Sequence, residues 1–239
     1  MAKNDPRVIL DGWVLDGSPV EIVSRSLADG TDPIHQQFES AWWGQCLNTF
    51  GEEAKQITYA HRMGLVNSPP PDDWEKWPSY DLAGKSILDI GGGPSSILLK
   101  CRDGVNKNEW LGDARSTVVD PLTMPYWVQA RYEAAGIELV NAPAEDFNSS
   151  EVDDECWIYN CLQHVVDPYA VLNVAMTYSR VIRIFEYPYT TAHVGHPHTL
   201  LPERMDAMLG GKGTVENIAK ENGISGLVYY GEFKVARGG

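Results

Sequence analysis

The chain of 239 residues is short of several things. It has four cysteines, Cys46, Cys101, Cys156 and Cys161, none in a CxxC spacing, and they are read as buried free thiols of a reducing cytosol. No apolar run approaches the ~20 residues that a membrane-spanning helix needs. Met1 to Pro6 lack the apolar core of a signal peptide, so a cytoplasmic protein is expected. Basic residues are scarce: 19 Lys and Arg stand against 33 Asp and Glu, a net charge of −14. The deficit is spread along the chain, −6 over residues 1–85 and −8 over residues 86–239. Phosphate neutralisation supplies most of the non-specific affinity of nucleic-acid binders, and they usually show a basic footprint. The balance argues against a polyanion and for a small or neutral partner. There is no internal repeat and no low-complexity tract. Hydrophobic content of 43% allows a sizeable core, and the length suits one large domain, or one domain with an accessory segment.

What is present is a strand that runs into glycines. Ser86-Ile87-Leu88-Asp89-Ile90 is short and apolar, ends near an acid, and is followed by Gly91-Gly92-Gly93-Pro94-Ser95-Ser96. Glycine permits a tight turn and a close approach of backbone to a ligand. The serines predict the start of a helix, Ser95 to Cys101, whose first N–H groups have no partner within the helix. A dinucleotide fingerprint requires another glycine three residues after Gly93. Ser96 occupies that position, and the acid two residues before Gly91 has no place in that fingerprint.

Asp89-Ile90-Gly91-Gly92-Gly93-Pro94 instead resembles motif I of the class I S-adenosylmethionine (SAM) dependent methyltransferases. The resemblance runs through the order of elements over about residues 82–239. It implies SAM as cofactor, with Asp89 in a network around the methionine amino group and Gly91, Gly92 and Gly93 beside the cofactor. It implies a Rossmann-like α/β fold, doubly wound, with a mostly parallel seven-stranded sheet.

The remaining elements fit that order. Residues 1–30 read as a loose arm with one short hairpin. Residues 33–50 predict a helix with Phe38, Ala41, Trp42, Cys46, Leu47 and Phe50 at helical spacings. A second helix runs from Glu52 to Met63, with Ala54, Ile57, Ala60 and Met63 on one face and Gly64 as its stop. Residues 66–80 form a proline-rich linker. The division expected is a helical N-terminal cap with arm and linker over residues 1–80, and a SAM-binding core over residues 81–239. Strands are expected at Ser86–Asp89, Ser116–Asp120, Ile137–Val140, Cys156–Asn160 and Arg180–Glu186, separated by helices. A helix near Trp127–Ala135 stops at Gly136, one spans about Ala170–Tyr178, and one spans Pro202–Leu209. The last two runs, Gly213–Ala219 and Gly226–Val235, predict a hairpin, although Val215–Glu221 could equally be a helix.

In an open parallel sheet, ligands sit at the carboxyl ends of the strands. Asp120 ends the second strand, and its carboxylate can accept two hydrogen bonds from ribose hydroxyls, as the resemblance implies; Pro121 follows it. Capping a helix is the plainer alternative for Asp120. Ala144-Glu145-Asp146 resembles the family's adenine-contacting loop, though Pro143 stands where an Asp is frequent. Asn160-Cys161-Leu162-Gln163-His164 resembles the family's motif at the methyl-donor end, with Asn160 near the methionine moiety. The candidate cofactor residues are therefore Asp89, Gly91, Gly92, Gly93, Asp120, Pro121, Ala144, Glu145 and Asn160.

Methyl transfer from a sulfonium depends mainly on approach and orientation. A base is needed only when the nucleophile carries a proton, and histidine is the usual one. His164 and His196 are the candidate bases, with a purely structural role as the competing reading. A metal held by Glu186, His193, His196 and His198 ranks last, because Pro197 interrupts their spacing. The expected function is methyl transfer to an oxygen or nitrogen of a small-molecule acceptor. The alternatives are a methyltransferase of protein or nucleic acid, a non-catalytic SAM-fold module that binds a partner, and an NAD-dependent oxidoreductase.

Overall fold

The computed structural model describes residues 9–10, 13–14, 51–66, 82, 84–99, 115–188, 196–221 and 224–236. The expected helix over 33–50, nearly all of the proline-rich linker, Cys46, Cys101 and His193 lie outside them. Of the N-terminal arm, Ile9–Leu10 (β1) and Trp13–Val14 (β2) form a short antiparallel pair.

Seven strands form the main sheet: β3 (Ile87–Ile90), β4 (Ser116–Val119), β5 (Glu138–Val140), β6 (Asp153–Tyr159), β7 (Ser179–Glu186), β8 (Thr214–Glu221) and β9 (Ile224–Lys234). Their order is β5-β4-β3-β6-β7-β9-β8. Strands β3 to β7 pair in parallel, and β9 joins β7 antiparallel. Chain order reverses between β3 and β6, which makes the crevice beyond their carboxyl ends the ligand position of an open α/β sheet. Strands β3 and β4 are buried at every residue, as their near-continuous apolar runs require in a sheet covered on both faces. The edge strand β8 carries Glu216, Lys220 and Glu221 and is a strand rather than a helix; charge on an edge discourages pairing with another chain.

Four helices of eight residues or more lie among the described residues: α1 (Gly51–Arg62), α2 (Tyr126–Ala134), α3 (Pro168–Tyr178) and α4 (Pro202–Leu209). Asp167 caps α3 by accepting from the N–H groups of Tyr169 and Ala170, and Pro168 occupies the first helical position, where a missing N–H costs nothing. Gly136 and Gly210 sit just past the ends of α2 and α4 with φ of +64° each, the left-handed conformation that stops a helix. After the glycines the chain departs from the expected helix at Ser95. Gly93–Ser95 forms a 3-10 turn, Ser96 is extended, and helix begins at Ile97.

The two faces of the sheet bury different things. Leu88, Ile90, Val119, Cys156, Ile158, Ile182 and Ile184 pack with α3 and α4. Ile87, Val118, Trp157, Tyr159 and Phe185 pack with α1 and α2. Strand alternation puts Asp89, Glu155 and Arg183 on that second face as well, and all three are buried. Helix α1 covers this polar row. Its residues 56–60 are all buried, a wider contact than the single face of Ile57, Ala60 and Met63 predicts. Tyr59 packs on Phe185 at 4.6 Å and on Tyr159 at 6.1 Å between ring centres.

Arg183 locks α1 to the sheet. Its Nη1 donates to the Met63 carbonyl at 2.8 Å, and its Nε donates to Glu155 at 2.8 Å. Lys85 and the Trp157 indole also donate to Glu155. Burial alone would raise the Glu155 pKa, but these donors outweigh it and hold the carboxyl at about 2. Arg62 adds ion pairs to Glu216 and Glu221 at 3.0 Å each, and Thr58 donates to Glu221 at 3.1 Å.

Removing one partner of a buried ion pair leaves an uncompensated charge. Arg183→Met is expected to cost about 3–5 kcal/mol in urea unfolding. A loss below about 1 kcal/mol, the worth of a surface pair, would show that Arg183 does not hold the helix.

Candidate cofactor site

The site begins with the turn after β3. Gly91 and Gly93 have φ of +71° and +59°, a region that other residues enter at a cost. At Gly91 a Cβ would lie 2.5 Å from the Cβ of Cys161, so this glycine admits the chain that follows β6.

Asp89 stands behind the turn, with no exposed surface. Its Oδ2 accepts from the Ser96 hydroxyl, and from Tyr159 Oη at 2.8 Å. Its Oδ1 has no hydrogen-bond partner among the described residues. Burial raises its pKa to about 7, against the two hydroxyls, which lower it; neighbouring Asp120 raises it further.

The N–H groups that open the helix are already taken. The Ser96 N–H donates to Tyr132 Oη at 3.0 Å, the Ile97 N–H to Tyr159 Oη at 3.0 Å, and the Leu98 N–H to Ser96 Oγ at 2.9 Å. Tyr132 Oη in turn donates to the Gly93 carbonyl at 2.6 Å. Residue spacing predicts free amides here; the structure corrects this, because two tyrosines from distant strand and helix cap them. A pyrophosphate bound in the dinucleotide manner uses such amides, and here they face three hydroxyls and a buried carboxyl.

Asp120 ends β4, and both its oxygens accept backbone N–H groups, Oδ2 from Gly93 and Oδ1 from Leu122, each at 2.9 Å. It therefore braces the glycine turn across 27 residues of sequence. An ionised carboxylate has about four acceptor positions, so these two bonds leave capacity for other donors. Pro121 is half-buried beside it. Ala144 is buried at the start of a 3-10 turn, Ala144–Asp146. The Glu145 Oε1 accepts from the Val166 and Asp167 N–H groups at 2.9 and 3.0 Å, which ties this turn to the start of α3.

The segment after β6 is held from below. Asn160 has φ of +51°, the one non-glycine with positive φ among the described residues, and Asn tolerates that conformation better than most residues. Its N–H donates to the Phe185 carbonyl at 2.8 Å, and its Oδ1 accepts from Gln163 at 2.9 Å. Glu186, at the end of β7, is fully buried, and its Oε1 accepts from the Cys161 and Leu162 N–H groups at 3.0 Å each. Burial raises the Glu186 pKa to about 7, against those amides and His164, which lower it. This clamp was not assigned in the sequence, where Glu186 stood only among metal-ligand candidates.

His164 and His196 come from segments after adjacent strands, and their rings meet edge to face with centres 4.6 Å apart. Both are half-buried. His198 lies apart from that contact, its Nε2 donating to the Val165 carbonyl at 2.7 Å.

No protein-family model and no curated protein matches the chain. Solved structures do. DhpI bound to S-adenosylhomocysteine (SAH) is 13% identical, with 89% of this chain and 98% of that one covered and a TM-score of 0.56. This chain has the class I methyltransferase fold. A Burkholderia thailandensis 1,6-didemethyltoxoflavin N1-methyltransferase, with that compound and SAH bound, is 15% identical over 85% of this chain and 88% of that one, TM-score 0.52. A SAM-dependent methyltransferase from Thermotoga maritima, a possible histamine N-methyltransferase, is 12% identical over 85% and 98%, TM-score 0.51.

Two buried carboxyls with raised pKa values set a pH dependence. Between the ordinary values of 3.8 for Asp89 and 4.5 for Glu186 and their folded values of about 7, the unfolded chain has released protons that the folded chain keeps. Stability then falls as pH rises from about 4 to about 7 and levels off above that. Asp89→Asn should flatten the fall. Urea midpoints at pH 5 and pH 8 measure it, and a variant that keeps the full wild-type fall would remove Asp89 as its source.

Proposed function

We propose that the protein is a SAM-dependent methyltransferase acting on an oxygen or nitrogen of a small-molecule acceptor. One observation carries the reading: at the turn after β3 the helix amides are capped by tyrosines, while the buried Asp89 keeps an acceptor oxygen without a partner. Such a turn suits a cationic ligand and disfavours a phosphate. SAM, whose sulfur carries a positive charge and an activated methyl group, fits it. Asp89, the backbone at Gly91, Gly92 and Gly93, Asp120, Pro121, Ala144, Glu145 and Asn160 would hold it. One solved protein of this fold is an N1-methyltransferase of a small molecule and another a possible histamine N-methyltransferase, which accords with the acceptor class.

The chain's own part is to orient the acceptor and to take a proton from it where one must leave. Gln163 Nε2 can only donate, and it faces His164 Nε2 at 3.4 Å. His164 is the group that would receive the proton, with His196 against its ring as the second candidate. Residues 1–80 act as the cap over the acceptor, anchored through α1, and residues 81–239 form the SAM-binding core.

SAM and SAH should each raise the melting temperature, since a ligand of the folded state stabilises it by mass action, and NAD should not. A shift with NAD alone would overturn the assignment. Once an acceptor is in hand, His164→Gln or His196→Gln should lower turnover about 10²–10⁴-fold with SAH affinity unchanged. Full turnover in both variants would eliminate a histidine base.

A further inference from the structure

A second buried side chain reaches the same turn from outside the sheet. Gln56 lies on α1 and is 2% exposed. Its Nε2 donates to the carbonyl of Ser95, one residue before the Ser96 that donates to Asp89. A carbonyl only accepts, so the amide nitrogen must face Ser95 and the oxygen must face away. That oxygen, Gln56 Oε1, has no partner among the described residues, and neither has Asp89 Oδ1.

Two acceptor oxygens are thus left over on side chains that bond adjoining residues, Ser95 and Ser96, of one turn. Each sits on a side chain whose other polar atom is already committed. Buried acceptors without donors are costly, and native structures seldom leave them so without a role. What would satisfy both is a group with several N–H donors and no acceptor. An ammonium has three donors and a positive charge. The charge suits the place: the charged side chain that acts on Asp89 is another carboxylate, Asp120.

Gln56 is also held firmly enough to define a site. Further along α1, Thr58 and Arg62 bond the β8–β9 hairpin, and Arg183 bonds the Met63 carbonyl just past the end of the helix. Helix α1 thus spans from the hairpin to the glycine turn as a fixed bar.

We propose that Gln56 is a cofactor-binding residue supplied by the N-terminal segment, its Oε1 sharing with Asp89 Oδ1 the ammonium group at the methionine end of SAM. This rests on the cofactor assignment above. It makes α1 part of the cofactor site as well as a support for the acceptor cap.

The test compares two ligands by calorimetry. SAH carries the amino-acid end; 5′-methylthioadenosine keeps the adenosine and the thioether but lacks the ammonium. Gln56→Ala should weaken SAH binding about 10–100-fold, the range for hydrogen bonds to charged groups, and leave 5′-methylthioadenosine binding unchanged. Equal losses for both ligands would show that Gln56 only supports the turn through Ser95, and would overturn the proposal. So would an unchanged affinity for SAH. If the alanine variant fails to fold, Gln56→Met fills a similar volume without the amide and is read by the same comparison. Wild-type protein that binds neither ligand would instead defeat the cofactor assignment itself, before any variant is made.

Discussion

A carboxyl group without access to water, set behind a turn of three glycines, constrains everything around it. Asp89 lies on the face of the sheet that α1 and α2 cover, and its burial is tolerable only because hydroxyls reach it. Ser96 and Tyr159 supply them. The same hydroxyls, with that of Tyr132, accept the first amides of the following helix. One network therefore satisfies one oxygen of the acid, caps the helix and fixes the glycine turn. Mutual satisfaction of this kind makes a buried polar cluster specific. Its incomplete member among the described residues is Asp89 Oδ1, the atom to which the proposed ligand would bind.

The same face explains why the N-terminal segment matters to the site. A sheet face that carries Asp89, Glu155 and Arg183 cannot be closed by apolar side chains alone. Helix α1 brings Gln56, Thr58 and the Met63 carbonyl to it as well as Ile57, Ala60 and Met63. It packs into the folded core along much of its length. The opposite face, closed by α3 and α4, is lined at its centre by Leu88, Ile90, Cys156, Ile158, Ile182 and Ile184.

Much of this architecture is legible in the sequence. Strands β3, β6 and β7 announce themselves as apolar runs because both of their faces are covered, and Gly136 and Gly210 mark helix ends because a left-handed residue is needed there. Asp120 is visible as an acid at a strand end, and His164 and His196 as residues of adjacent loops. What is not legible depends on pairing across the fold. Tyr159 is 70 residues from Asp89, Tyr132 is 36 from Ser96, Gln56 is 39 from Ser95, and Glu186 is 25 from Cys161. No local spacing signals such contacts. The 3-10 turn at Gly93–Ser95 escapes for a different reason: the serines read as a helix cap one residue too early, with Pro94 fixing the turn between. The beginning of β6 at Asp153 is also hidden, because an acid there reads as loop until Arg115 is seen to pair with it at 2.8 Å.

In the proposed function Asp89 is the seat of a cationic ligand group. A carboxyl held at about 7 in the free protein must give up its proton when a cation docks on it. Titrating SAH into the protein at pH 7, in buffers of different ionisation enthalpy, measures that proton directly. Release of about half a proton per SAH bound is expected, abolished in Asp89→Asn. Binding with no proton release, or with proton uptake, would contradict it.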